Sequence, residues 1–548
     1  KRTLFSAFAA IAMSTGLVDA ANPYLPLWEF IPDGEPYVFE DPDKPGKMRV
    51  YVYGSHDSII KDYCGLEQVV WSAPVDDLSQ WRYDGVIFRN THDANGHLLS
   101  PNGKGDLLYA PDIAVKTGKD GKKEYYLFPN IQGEERAGLI AKSNRPDGPY
   151  VACNYSKTNP RSTDGVLRFD PAVFVDDDGR VYGYWGFEKS FGAELDPETM
   201  STVKPGTKIV TDMVSNYKQD GIFRFFEASS MRKIKDKYVF IYSRWTGEGE
   251  FGLPTTNYTL AYAYSDNPLG PFTYGGTIID GRGRDTDDNG KIIYTAHKTG
   301  NTHGSICEIN GQWWVFYHRQ TGLDEFSRQA MVAPIKVDVQ TGKGGKVTIS
   351  EGEYTSEGFQ TDGLNPLERT AAGTACYYTH PKGMGQEYPK FMPNGSYIEA
   401  SRIDWNSYVG PYNLKQPLCP VVNNTDGSVV GYKYFNFDCM KDATDATLHM
   451  NVVKEGIEGT MKVMIGGPSV KKGGKVVGSY TFKSGPATPM AEISIPLTGM
   501  NQFKGKQPLF FQFTSATKDK SICKIYDFIF VIMKSEIRNP KLTTTRNS

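Results

Sequence analysis

Residues 169–186 read FDPAVFVDDDGRVYGYWG. A short apolar run leads into a tight Asp-Asp-Gly turn, and an aromatic-rich run returns from it, which is the pattern of a β-hairpin. Working outward, the same plan recurs in PDGEPYVFEDPDKPGKMRVYVYGSHD (32–57), YAPDIAVKTGKDGKKEYYLFPN (109–130), FFEASSMRKIKDKYVFIYSRW (225–245) and NTHGSICEINGQWWVFYHRQ (301–320). SNRPDGPY (143–150) and SDNPLGPF (265–272) are near copies, and SAPVDDLSQW (72–81) is a looser third. The polar residues that open the five units are Asp33, Asp112, Asp170, Glu227 and His303. Units of this length, each holding about four strands, predict a β-propeller of five blades. No long stretch has a 3.6-residue apolar period, so helices are minor.

Beyond about residue 350 the repeat stops. Residues 363–373 (GLNPLERTAAG) read as a linker, and seven alternating runs follow, from GSVVGYKYFNF to KIYDFIFVIM. They predict a jelly-roll-like β-sandwich over 374–538. The fold class is therefore all-β: a propeller over 21–362, then a sandwich, then a polar tail over 539–548.

The chain has 548 residues, and 61 Lys and Arg oppose 63 Asp and Glu, for a net charge of −2. Nucleic acids and anionic membrane surfaces call for a basic field, so neither is an expected partner. Lys1 and Arg2, the apolar run Leu4–Met13 and Val18-Asp19-Ala20 have the form of a signal peptide over 1–20, which predicts an exported protein. The seven cysteines include no CxxC pair and no zinc spacing. Any one pair of them could form a disulfide. A monomer is expected.

Inner strands of a propeller face the axis, so residues at matching positions converge. Asp33, Asp170 and Glu227 each have apolar neighbours, and burying a carboxylate is costly unless it is paired or protonated, so three that converge are a poor choice for stability alone. Each alone could cap a turn. Three that converge can split a glycosidic bond: a protonated acid serves the leaving oxygen, a carboxylate activates water, and the third sets pKa and orientation.

The five strings, in order over about 320 residues, resemble those of glycoside hydrolase family 43. The resemblance implies Asp33 as general base, with Asp41 and Asp43 as alternatives, Asp170 as pKa modulator and Glu227 as general acid. It further implies substrate contacts from Arg328, Tyr109 and Asp112, and His303 near an axial Ca2+ of structural or electrostatic role. No organic cofactor is implied. His318 and His56 are expected to be structural or pocket-lining. Two departures stand out: Tyr109 replaces a usual Trp, and Ala228-Ser229 replaces the usual Gly-Pro after the acid.

The implied reaction is single-displacement hydrolysis with inversion of a plant polysaccharide or oligosaccharide. Two principal carboxyls roughly 6.5–9.5 Å apart would leave room for water. Release of α-L-arabinofuranose is the expected activity, with β-xylosidase or endo-xylanase action as alternatives, and a non-catalytic sugar-binding protein as a reading of another class. The related invertase and levansucrase families carry an Asn-Asp-Pro-Asn-Gly-like run that this chain lacks. The sandwich resembles carbohydrate-binding module family 6, with Trp405, Tyr408 and Tyr412 as candidate stacking residues.

Overall fold

A computed structural model describes residues 21–532, apart from 60–61, 100–105, 133–134, 388–389, 402–417 and 444. The proposed signal segment, the tail and the aromatics at 405, 408 and 412 lie outside those residues. Strands dominate, and the helical pieces among the described residues are four short 3-10 turns. No helix is long and apolar enough to cross a membrane among the described residues.

Blade I comprises strands Glu35–Glu40, Met48–Tyr53, Glu67–Pro74 and Arg82–Arg89, paired antiparallel in chain order. Blade II runs from Asp112–Thr117 to Val151–Ala152, blade III from Ala172–Val175 to Val210–Thr211, and blade IV from Phe225–Ile234 to Thr273–Asp280, each with four strands. The near-copy strings join the third and fourth strands of blades II and IV, and the looser copy does so in blade I. Their role is shared. Tyr53 of blade I donates to Pro146 O at 2.8 Å, and Tyr184 of blade III donates to Pro268 O at 2.9 Å.

Blade V has three strands of its own, Ser305–Ile309, Gln312–Gln320 and Arg328–Ile335. Its open edge is covered by the start of the chain. The Asn22 side chain donates to Val332 O at 2.7 Å and accepts from Val332 N at 3.0 Å, while Tyr24 N donates to Ala330 O. Tyr24, Trp28 and Ile31 then pack with Trp71, Trp314 and Phe316 between blades I and V. This apolar seam closes the ring, since each such side chain contributes about 1.5–3 kcal/mol when fully buried.

Beneath the mouth of the axis runs one hydrogen-bonded circuit that touches every blade. Arg232 of blade IV pairs with Glu35 of blade I at 2.8 Å and donates to Ile306 O of blade V at 3.0 Å. Its guanidinium lies 4.6 Å from the centre of the Tyr37 ring. Tyr37 in turn donates to Asp112 of blade II at 2.8 Å, and the other Asp112 oxygen accepts from Val173 N of blade III at 2.7 Å.

The second unit is a sandwich of two sheets. One has the strands Val429–Asn436, Lys506–Thr514, Gly459–Ile465 and Lys475–Phe482, flanked by Tyr377–Thr379; the other is built on Asp445–Lys454, Ala491–Thr498 and Cys523–Ile532. Side chains alternate cleanly, with Ile493, Ile495 and Leu497 turned inward along one strand. Residues 363–373 are part of this unit. Leu364 is in its core, Phe530 N donates to Pro366 O, and Thr370–Ala371 pair with Asp527 and Phe528. Proline and glycine suggested a linker, yet the segment supplies an edge strand. None of the seven cysteines is joined to another in a disulfide.

Candidate active site

Asp33 lies two residues before the inner strand of blade I, with φ at 60° and its side chain buried. A left-handed conformation is strained for aspartate and persists only where neighbours fix it. Here Asp33 N donates to His318 Nδ1 at 3.2 Å, and His318 Nε2 donates to Asn301 O at 3.0 Å, which sets the imidazole tautomer. Burial brings the His318 pKa down to about 4, so the ring is neutral at ordinary pH. The Asp33 carboxylate receives Arg328 Nη1 at 3.0 and 3.1 Å and the Ser55 hydroxyl at 2.6 Å. Burial works to raise the Asp33 pKa, but Arg328, followed by His318 and His303, outweighs it and holds the carboxyl below the usual value.

Asp170 occupies the matching place in blade III, also left-handed, with φ at 42°. It accepts from the Asn130 amide at 2.8 Å and from Ala228 N at 3.1 Å. Burial pushes its pKa up to about 6, with Asp33 adding to the rise and His303 opposing it.

Glu227 sits in the inner strand of blade IV, where the pairing register shifts on both sides of it. Such a bulge re-aims a side chain. Ala228 takes φ at 67°, the conformation that glycine adopts at no steric cost, so the unusual Ala keeps a glycine-like turn. Burial, and after it the nearby charges of Asp170 and Asp33, holds the Glu227 pKa well above the usual value. One carboxyl is thus kept ionised and another kept protonated within one cluster, the division of labour that acid–base hydrolysis needs.

The other expected site residues fall in several places. Tyr109 is half-buried beside the start of blade II, its backbone tied to Asn130 O and to Gln68. Asp112 opens its strand directly, so it lies one layer deeper than Asp33 and Asp170, and both its oxygens are engaged in the axial circuit. Ala110, two residues before the strand, holds the level that Asp33 and Asp170 hold in their blades. Arg328 faces Asp33 and is clamped from behind by Asp57, with Nη2–Oδ1 at 2.9 Å and Nε–Oδ2 at 3.0 Å. Asp41 and Asp43 sit past the far end of the blade I inner strand, facing Arg49 and Arg145. His56 pairs with Glu29 at 3.1 Å.

His303 faces Asp170, with Nδ1 3.7 Å from Oδ2. Calcium takes six to eight oxygen ligands. Among the described residues no group of three or more His, Cys, Asp or Glu is placed to hold an ion. The residues around His303 do not fit a site built from protein carboxylates, and His303 is a charge partner of Asp170.

Asn130, Ser55, Asp57 and Asn301 belong to this cluster and were not singled out in the sequence. Ser55, Asp57 and Asn130 follow the second strands of blades I and II, at the ends of the quoted strings. An aromatic rim was also missed. Phe169 and Phe226, each just before a carboxylate, both contact Phe187 at 5.0 and 5.1 Å. Phe226 also meets Trp245 at 5.7 Å, and Tyr217 meets Trp245 at 5.3 Å. Phe187 is 46% exposed, an apolar face open beside the acids.

Residues 39–340 match the family described as "Glycosyl hydrolases family 43". A "Xylosidase/arabinosidase" of Thermoclostridium stercorarium is 35% identical over 446 residues, covering 76% of this chain and 83% of that protein. An "Arabinoxylan arabinofuranohydrolase" of Bacillus subtilis (strain 168) is 29% identical over 393 residues, covering 66% and 72%. Among solved structures, a glycoside hydrolase family 43 arabinoxylan arabinofuranohydrolase from Bacillus subtilis in complex with cellotetraose aligns over 93% of this chain and 97% of that one, at 22% identity and a TM-score of 0.43. Taken with the carboxylates at the propeller axis, the family match and the 35% identical relative place this chain in glycosyl hydrolases family 43, as a glycosidase of that family's inverting kind.

Proposed function

We propose that this glycosidase releases α-L-arabinofuranosyl groups from arabinoxylan or arabinan, with Glu227 as general acid, Asp33 as general base and Asp170 as the group that keeps Glu227 protonated. The observation that carries the reading is the opposed tuning of Asp33 and Glu227 within one buried cluster. The partly exposed aromatic rim supports a polymeric substrate, because aromatic faces stack on sugar rings beyond the cleaved bond. Names of relatives pair arabinosidase with xylosidase activity, so terminal β-xylose is the second reading. In the sandwich, the resemblance to family 6 carbohydrate-binding modules rests on strand strings; its contacts with the propeller favour bracing. A polymer too large to enter a cell fits an exported enzyme.

The step follows from the proton positions. Asp33, ionised, takes a proton from a water that attacks the anomeric carbon. Glu227 gives its proton to the departing glycosidic oxygen, and the sugar leaves with its configuration inverted. Arg328 and Ser55 hold the Asp33 oxygens in place.

The pH dependence has a defined sign. Asp33 ionises below the usual aspartate range, so the acidic limb of kcat/KM lies low. Glu227 must stay protonated, and its raised pKa carries the alkaline limb above the usual carboxylate range. Asp170→Asn removes a charge that raises Glu227, so the alkaline limb moves to lower pH in that variant. A limb that stays in place would separate Asp170 from this role.

Specificity is tested by product release from arabinoxylan, arabinan and linear xylan. Free arabinose, with the xylan backbone left whole, is expected. Xylose from linear xylan would replace the arabinofuranosidase reading by the xylosidase one.

A further inference from the structure

We infer that His297 is a positioning residue through which the sandwich holds Arg328 against Asp33. The inference rests on the reading of Asp33 as the base, and extends it to a residue outside the carboxylate cluster.

His297 belongs to the propeller but is enclosed by the sandwich. It is 1% exposed, and its ring centre lies 5.7 Å from Tyr378, 5.1 Å from Phe391 and 5.5 Å from Tyr397. Both ring nitrogens are used. Nδ1 accepts from Ile398 N at 3.1 Å, and Nε2 donates to Gly322 O at 3.0 Å. Gly322 N closes a triangle by donating to Ile398 O at 3.1 Å. Because Nδ1 must accept, the ring carries its proton on Nε2, and burial keeps it neutral by holding its pKa well below the usual value. Contact at this corner is tight. A Cβ on Gly322 would stand 3.1 Å from the Ala400 Cβ of the sandwich.

Gly322 begins the loop that delivers Arg328. Thr321 N donates to Ser327 O at 3.0 Å, and the Thr321 hydroxyl reaches the same oxygen, which pinches the loop at its base. Just before Ser327, Phe326 meets the edge of Tyr63 at 5.0 Å, and the Tyr63 ring lies 5.0 Å from the Arg328 guanidinium. On the other side of Arg328, Gln329 receives Arg319 Nε at 3.1 Å, and Arg319 reaches into the sandwich at Ala375 O, 2.7 Å away. Both flanks of Arg328 are therefore anchored to the second unit. The sandwich serves as a wall for the active-site loop, with His297 as the link between Ile398 N and Gly322 O.

The test uses the full chain and an aryl arabinofuranoside with a good leaving group, whose cleavage leans on the base and little on Glu227. His297→Leu fills the volume and removes both hydrogen bonds. Measured well below the melting temperature, kcat is expected to fall about 10- to 100-fold, as small misplacements of a catalytic group do, while KM changes little. His297→Gln, whose amide can donate to Gly322 O, is expected to recover most of the loss. If His297→Leu does not fold, Ala400→Leu presses on Gly322 from the sandwich side, and the same fall in kcat is expected. Full kcat in His297→Leu or Ala400→Leu, with only the melting temperature lowered, would overturn the inference and leave His297 a packing residue. Asp33→Asn, run beside them, keeps the two readings apart: activity in that variant would remove the base assignment itself.

Discussion

Glu227→Gln is expected to lose about 10²–10⁴-fold in kcat on arabinoxylan, because the leaving sugar oxygen no longer receives a proton. The fold should survive, since Glu227 sits at a bulge and the amide is of equal size. The size of the loss depends on the leaving group. An aryl glycoside whose phenol departs without protonation should be cleaved by Glu227→Gln at a rate much nearer to that of the unaltered enzyme. Asp33→Asn should show no such relief, because water must be activated whatever leaves. Its amide also loses the charge that Arg328 and Ser55 are arranged around, leaving the buried guanidinium to Asp57 alone. Steady-state rates on the two substrates, for both variants, check the assignment. Equal losses on both substrates for Glu227→Gln would contradict its role as the acid.

The second large effect concerns stability. Arg232 is the cation of the circuit that joins all five blades, and its side chain is 14% exposed against 1% for Glu35. Removing one partner of a buried pair typically costs about 3–5 kcal/mol, because the other charge is left uncompensated. Arg232→Ala should therefore lower the melting temperature sharply. The loss should depend on pH. Burial, with Glu35 adding to it, already pushes the Asp112 pKa up to about 7, and Arg232 opposes that rise. A carboxyl with a raised folded-state pKa contributes stability at low pH that is lost as pH climbs from its unfolded value through its folded one. Without Arg232 the folded value climbs further, so the deficit should be smaller near pH 5 than near pH 8. Thermal melts at both values check this, and Arg232→Ala with Asp112→Asn should recover part of the deficit. A deficit independent of pH would mean that the circuit is held by shape and not by charge.

The propeller was legible because each blade repeats the same local chemistry: an inner apolar run, a Gly or Asp turn, an aromatic return strand. That periodicity marks strands without any knowledge of what they touch. Depth along the axis is another matter. Asp112 looks like Asp170 in the sequence, since each is next to a proline, yet in Asp170-Pro171 the strand begins two residues later, whereas Asp112 is itself the first strand residue. Register between neighbouring blades decides the level, and Val173 N reaching Asp112 fixes it. Asn130 and Asp57 were hidden for a similar reason: they follow second strands and reach the site only once the blades close. The aromatic rim draws Phe187, Tyr217 and Trp245 from separate loops. Residues 363–373 misled because proline and glycine mark an edge strand as readily as a linker.

The central claim is that Asp33 activates water and does not bond to the sugar. Its most direct test is the anomeric configuration of the sugar at the moment of release, followed by proton NMR before mutarotation. An α-linked arabinofuranoside should first yield the β-anomer. Initial appearance of the α-anomer would mean two displacements and a covalent intermediate, and would contradict the roles given to Asp33 and Glu227.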